Sequence, residues 1–159
     1  MRGAFGYGLP NNQGPVLGAL LVSNVTAFMQ ANSTINGTSL PNLSINFAHD
    51  TTIDLGLTAL GLANDTFFPA TGPPSPYRKW RTSYQVPFAA QMLWKRLSCG
   101  GGVKRLALEL NWANFDLSPV GCTADAYGTC ALDDFMATEH VQTALGITDG
   151  DAVWTRACS

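Results

Sequence analysis

The sequence predicts an α/β layer architecture, and three observations carry that prediction. A helical apolar face covers residues 15–30. A short apolar run at 43–48 leads directly into a second helical face at 53–62. Strand-like runs at 103–110 and 114–117 then precede a last helical pattern at 132–145.

Each element has a local reason. Pro15 suits the first turn of helix 15–30, where its missing N–H is not needed, and Val16, Leu20 and Phe28 mark the apolar face. Residues 32–41 read as polar loop. The run 43–48 reads as a short buried strand. Helix 53–62 is spaced by Ile53, Leu57 and Leu60; Asp50, Thr51 and Thr52 are N-cap candidates, and Gly61 is a stop. Prolines exclude regular structure from 67–76. Residues 87–97 read as a further helix, ending towards Cys99 and the glycine turn at 100–102. Asp133 and Asp134 are placed to start the last helix.

Composition bounds the partners. Hydrophobic residues make up 46% of the 159 and charged residues 13%, about half the usual charged share. A formal charge of −2 gives no electrostatic reason to expect nucleic acid or an anionic membrane as partner. No stretch approaches the 18 or more apolar residues of a membrane span.

So few charges leave solubility to something else, and glycans fit. Five N-x-[ST] acceptor sequences begin at Asn24, Asn32, Asn36, Asn42 and Asn64. Chance pairing of the ten Asn with the 24 Ser and Thr gives roughly 1.5. The excess points to a secreted, glycosylated product. A polar loop rich in Asn and Thr is the plainer alternative. Cys99, Cys122, Cys130 and Cys158 agree with an oxidising compartment, and none forms the C-x-x-C pair of a zinc site. Cys122 and Cys130 flank a short loop that a local bridge could close, but sequence leaves all three connectivities open. The start carries no convincing signal peptide, so the expectation is a chain that lacks its beginning.

The informative stretch is Ser44-Ile45-Asn46-Phe47-Ala48-His49-Asp50-Thr51-Thr52. A strand ends, His and Asp follow, and a helix begins. In α/β folds ligands bind at such junctions. The helix N-terminus favours an anion such as phosphate. A protonated imidazole adds a donor for phosphate oxygens, and an adjacent carboxylic acid can protonate a leaving alkoxide. Alone, Asp50 could equally be no more than a cap.

Phe47-Ala48-His49-Asp50-Thr51-Thr52, followed by Thr58-Ala59-Leu60-Gly61-Leu62, resembles the second signature of the histidine acid phosphatases of the fungal phytase type. Further landmarks occur in order: Val86-Pro87-Phe88, the segment ending at Cys99, the strand Val103-Lys104-Arg105-Leu106-Ala107-Leu108-Glu109-Leu110, and the loop Cys122-x7-Cys130. The resemblance implies a histidine phosphatase-like sheet flanked by helices, present here as the C-terminal part of a single domain spanning 1–159.

It also implies phosphomonoester hydrolysis, phytate included, through a phosphohistidine and without cofactor or metal. His49 would contact the phosphate and Asp50 would be the proton donor. The family's nucleophile lies in Arg-His-Gly-x-Arg-x-Pro, which does not occur in this sequence. The remaining histidine, His140, has no arginines beside it and reads as a surface or packing residue. By the same resemblance Cys122–Cys130 is the internal bridge, while Cys99 and Cys158 pair with cysteines elsewhere. A truncated, non-catalytic relative that at most binds phosphorylated ligands is the alternative; a third, an unrelated secreted glycoprotein module, rests on composition alone. Arg78-Lys79-Trp80-Arg81 could meet a polyanionic substrate or be a solvated loop. Trp94, Trp112 and Trp154 read as core or anchoring aromatics. Lost sheet partners would leave apolar surface and a strand edge exposed.

Overall fold

Helix α1, Gln13–Gln30, and helix α2, Asp50–Ala59, pack directly on one another, and this pair sets the frame of the molecule. The computed structural model describes residues 7, 13–31, 34–35, 38–39, 43–65, 71–148 and 150–158. α1 brings Gly14, Val16, Gly18, Ala19, Val22, Thr26 and Met29 inwards, so its buried stripe is built largely from small residues. At Gly18 the helices approach so closely that a Cβ would overlap the Leu55 backbone carbonyl. Leu21 reaches across to Gly56 in the same contact.

α1 ends against a side chain from the sheet. Arg96 Nη1 donates to the carbonyls of Met29 (2.7 Å) and Ala31 (2.8 Å). These oxygens have no partner within the helix, and a guanidinium also suits the negative end of its dipole. Two short strands, β1 (Thr34–Ile35) and β2 (Thr38–Ser39), pair antiparallel in the following stretch.

Beyond α2, the one-turn helix α3 (Thr82–Gln85) leads to the sheet. Strand β3 (Met92–Ser98) pairs along its whole length with β4 (Lys104–Leu110). β5 (Ala113–Phe115) and β6 (Cys130–Ala131) pair with the two ends of the other edge of β4, all antiparallel. Leu106, Leu108 and Leu110 face helices α1, α2, α4 (Leu132–Met136) and α5 (Glu139–Leu145) across a core that includes Val22, Leu57, Leu60, Phe135 and Val141. Helix α6, Ala152–Cys158, follows. A four-stranded antiparallel sheet with flanking helices is the expected α/β class. Among the described residues no helix is long and apolar enough to cross a membrane.

Strands β1 and β2 form within the stretch 32–41 that was expected as loop, and three larger elements also differ from expectation. Residues 87–97 are not a helix: 87–90 form a turn and β3 begins at Met92. Helix-forming Met, Leu, Lys and Arg there yield to tertiary pairing, because a strand alternates Met92, Trp94 and Arg96 towards the helices while the Gly100–Gly102 turn returns the chain to β4. Trp94 then packs on Phe135 with ring centroids 6.0 Å apart. The run 43–48 forms no strand, because no strand lies beside it among the described residues; Leu43, Ile45 and Phe47 are exposed, Phe47 at 97%. Helix 132–145 is two helices, since Thr138 turns extended and its hydroxyl donates to the Phe135 carbonyl (2.8 Å).

Alanine at Gly18 is expected to lower stability by roughly 1–3 kcal/mol, read as a reduced urea midpoint. Alanine at Gly146, where a Cβ meets only ordinary van der Waals contacts, should leave the midpoint nearly unchanged. Equal effects at both positions would contradict the close α1–α2 contact.

Candidate active site

The His49–Asp50 pair sits where the extended run 43–49 becomes α2. His49 is the N-cap, with extended φ −82° and ψ 159°, and its side chain makes no capping hydrogen bond. Its carbonyl accepts from Thr52 N–H (3.0 Å). Asp50 is therefore the first residue inside the helix, one place later than the cap role the sequence allowed it. Its Oδ1 accepts from the Thr51 N–H (2.8 Å). Both residues are exposed, and neither enters a salt bridge among the described residues. A His and an acid thus stand in solvent at a helix N-terminus, outside any salt bridge among the described residues. There the first-turn N–H groups and the dipole favour a bound anion, imidazole can donate to it, and a carboxylic acid can give up a proton.

The other end of α2 is fixed by different chemistry. Gly61, at φ 69°, makes the left-handed turn that stops the helix. Leu62 N–H reaches back to the Leu57 carbonyl (2.8 Å) and Gly61 N–H to that of Thr58 (3.1 Å). His140 of α5 packs against Gly61. Ten helical residues separate it from His49 by roughly 15 Å, so the two histidines cannot act on one phosphorus.

The basic run lies at that far end too. Trp80 is buried edge-on to Tyr7, whose hydroxyl bonds the Leu62 carbonyl. The backbone N–H groups of Lys79 and Trp80 donate to the Asp65 carboxylate (2.8 and 3.0 Å). Arg78 and Arg81 turn their guanidinium groups onto carbonyls of Ser75, Pro76 and Arg78. Arg78 and Arg81 thus stitch their own exposed loop, in keeping with the solvated-loop reading of this run.

One residue of the site was missed in the sequence. Asp54 lies one helical turn after Asp50 and is wholly buried, and neither carboxyl oxygen has a hydrogen-bond partner among the described residues. Burial, and then the nearby Asp50, raise its pKa from 3.8 to about 6. Folding therefore favours the protonated form. The sign follows: stability is fullest below about pH 4 and declines as pH rises towards 6 and beyond, by about 3 kcal/mol in all. The signal was available, since Asp54 falls between Ile53 and Leu55 in the apolar run of the helix and four residues after Asp50.

Away from α2, Cys122 and Cys130 are bridged. The loop they close is further held by the Asp125 carboxylate. It accepts from the hydroxyl and N–H of Thr129 and the N–H of Tyr127, and pairs with Arg105 (3.1 Å). The Thr129 hydroxyl foremost holds its pKa below the usual carboxylate value. Cys99 is a free, exposed thiol. Of the glycosylation candidates, Asn24 and Asn64 are exposed, while Thr26 of the first acceptor sequence is buried and donates to the Val22 carbonyl (2.8 Å). Asn32, Asn36 and Asn42 lie outside the described residues.

The family model described as histidine phosphatase superfamily (branch 2) matches residues 1–111, which include the whole His49–Asp50 junction. The chain is also 30% identical over 153 residues to Phytase A of Aspergillus oryzae, an alignment covering 83% of this chain and 32% of that protein. It thus spans about a third of the length of this relative.

If His49 and Asp50 carry no structural load, His49→Ala and Asp50→Asn should each change unfolding free energy by no more than about 1 kcal/mol in urea titrations. A loss above about 2 kcal/mol would assign them to the fold.

Proposed function

The chain belongs to branch 2 of the histidine phosphatase superfamily, and on that premise we propose that it is the C-terminal part of a secreted, glycosylated phosphomonoester hydrolase, of the acid phosphatase or phytase type. The observation that carries the proposal is the pair His49 and Asp50, both exposed at the free N-terminus of α2. The limited share of Phytase A that the chain spans supports the part-domain reading. So does the exposure of Leu43, Ile45, Phe47 and Phe88, residues of a kind that a neighbouring element would ordinarily cover.

The chemistry runs in two displacements. A histidine nucleophile outside this chain attacks phosphorus, forming an N–P bond as the P–O ester bond breaks. His49, protonated, donates to a phosphate oxygen and steadies the charge that builds in the transition state. Asp50 passes its proton to the leaving alkoxide. In the second step the Asp50 carboxylate takes a proton from the attacking water, the N–P bond breaks, and phosphate departs with the nucleophile regenerated. The N–H groups of the first turn of α2 favour phosphate in both steps. Substrate classes from simple phosphomonoesters to phytate satisfy this scheme equally.

One observation favours a second reading, a relative that binds phosphorylated ligands without turning them over. The only other histidine, His140, packs at the opposite end of α2. Release of phosphate by this chain alone, abolished by Asp50→Asn, would exclude that reading.

In a polypeptide that also supplies the nucleophile, Asp50→Asn is expected to cut kcat for an alkyl phosphate by roughly a hundred- to ten-thousandfold. Inhibition by inorganic phosphate should change by less than about threefold, because His49 and the helix N-terminus remain. Unaltered hydrolysis of the alkyl ester would remove Asp50 from the role of acid.

A further inference from the structure

Asp54 is the buried titratable group that the proposed chemistry leaves unused, and its placement is specific. Side chains on a helix lean towards its N-terminus, onto the turn three and four residues before them. Asp54 therefore leans towards Asp50 and Thr51, the turn that opens α2. It is wholly buried with both oxygens lacking a hydrogen-bond partner among the described residues.

Among the described side chains the surrounding elements offer no compensating charge; the chain's α-amino group acts against burial and Asp50 on the Asp54 carboxyl, more weakly than either. α1 carries no titratable side chain from Gln13 to Gln30. α5 brings only Glu139 and His140, and His140 packs at the far end of α2. β3, whose Met92 nears Gly56, carries Lys95 and Arg96. Lys95 is paired with Glu109, and Arg96 donates to the carbonyls that end α1. The ionisable groups on the turn itself are His49 and Asp50.

We propose that Asp54 is a positioning residue whose protonation state sets the affinity of the α2 N-terminus for a tetrahedral dianion. The inference rests on the reading of that turn as the phosphate site. Neutral, Asp54 adds no charge of its own to the helix end, where Asp50 is the one carboxyl in the first turn. Ionised, it sets a fixed negative charge under the same turn, shielded from water on the protein side, where it opposes both the helix end and the bound dianion. Binding is therefore favoured on the acidic side of the Asp54 titration, and the site loses affinity as pH rises through about 6. An acidic working range is thereby built into α2 itself, separately from the titration of His49 or of the substrate.

The test uses inorganic sulfate, a tetrahedral dianion whose charge is constant from pH 4 to 8, with the whole chain as wild type, Asp54→Asn and Asp54→Leu. Sulfate dissociation constants are measured by calorimetry across that range, and the ratio of wild type to variant is followed. Effects of His49 appear in both proteins and cancel in the ratio. The proposal predicts a ratio near one at pH 4 that rises to about fivefold or more above pH 7, as a charge about one helical turn from a dianion should produce even at the dielectric constant of water. The leucine variant serves if the buried amide of the asparagine variant prevents folding. The Asp54 carboxyl resonance, followed by NMR, should titrate near pH 6. A flat ratio, or titration of Asp54 in the ordinary carboxylate range, would overturn the proposal and leave the phosphate-site reading standing. No sulfate binding at any pH would overturn both.

Discussion

α1 approaches α2 at Gly18 so closely that even a methyl group would overlap the Leu55 carbonyl, and the placement of the whole site follows from that approach. The contact fixes the axis of α2, and with it the direction in which the N-terminal turn points. Arg96 holds the end of α1 to β3, so the helix pair is tied to the sheet as well as packed on it. The leucines of β4 and the side chains of α4 and α5 then close the core beneath. The side chains of His49 and Asp50 lie outside this core. They stand exposed at the N-terminal end of α2.

The two ends of α2 divide the labour. At the C-terminal end, Gly61, Tyr7, His140 and the Trp80 loop satisfy carbonyls and seal the helix to its surroundings. At the N-terminal end Asp50 Oδ1 accepts from the next backbone N–H, the one side-chain hydrogen bond there among the described residues. A helix whose carbonyl end is capped by protein and whose N–H end is open to solvent presents an anion site in its simplest form. Asp54 lies within the same helix, wholly buried one turn after Asp50.

Much of this was legible in the residues, and what was not has physical reasons. Helix α1, helix α2 with its Gly61 stop and strand β4 follow from local pattern, because their apolar spacing and turn residues agree with their tertiary environment, whereas the Cys122–Cys130 bridge was implied by the family resemblance. Strand β3 did not. Its Met, Leu, Lys and Arg favour helix, and only pairing with β4, which local sequence does not encode, makes it a strand. The break at Thr138 was equally hidden, since threonine is tolerated inside a helix and its turn is decided by the packing of Phe135 and Val141. At the site, the His-Asp junction was readable as a constellation, whereas its exposure was not. Nor was the isolation of Asp54, which depends on α1 carrying no charge opposite it.

The central claim is that Asp50 moves the proton in both half-reactions. Rapid quenching of p-nitrophenyl phosphate turnover tests it most directly, in a polypeptide that supplies the nucleophile and carries Asp50→Asn. The p-nitrophenolate leaves without a proton, so phosphorylation should remain fast while hydrolysis of the phosphohistidine is slowed. The account predicts a burst of p-nitrophenol close to one equivalent per protein, with a phosphorylated protein accumulating beside it. Linear release from the first turnover, at the wild-type rate and with no phosphorylated species, would contradict it.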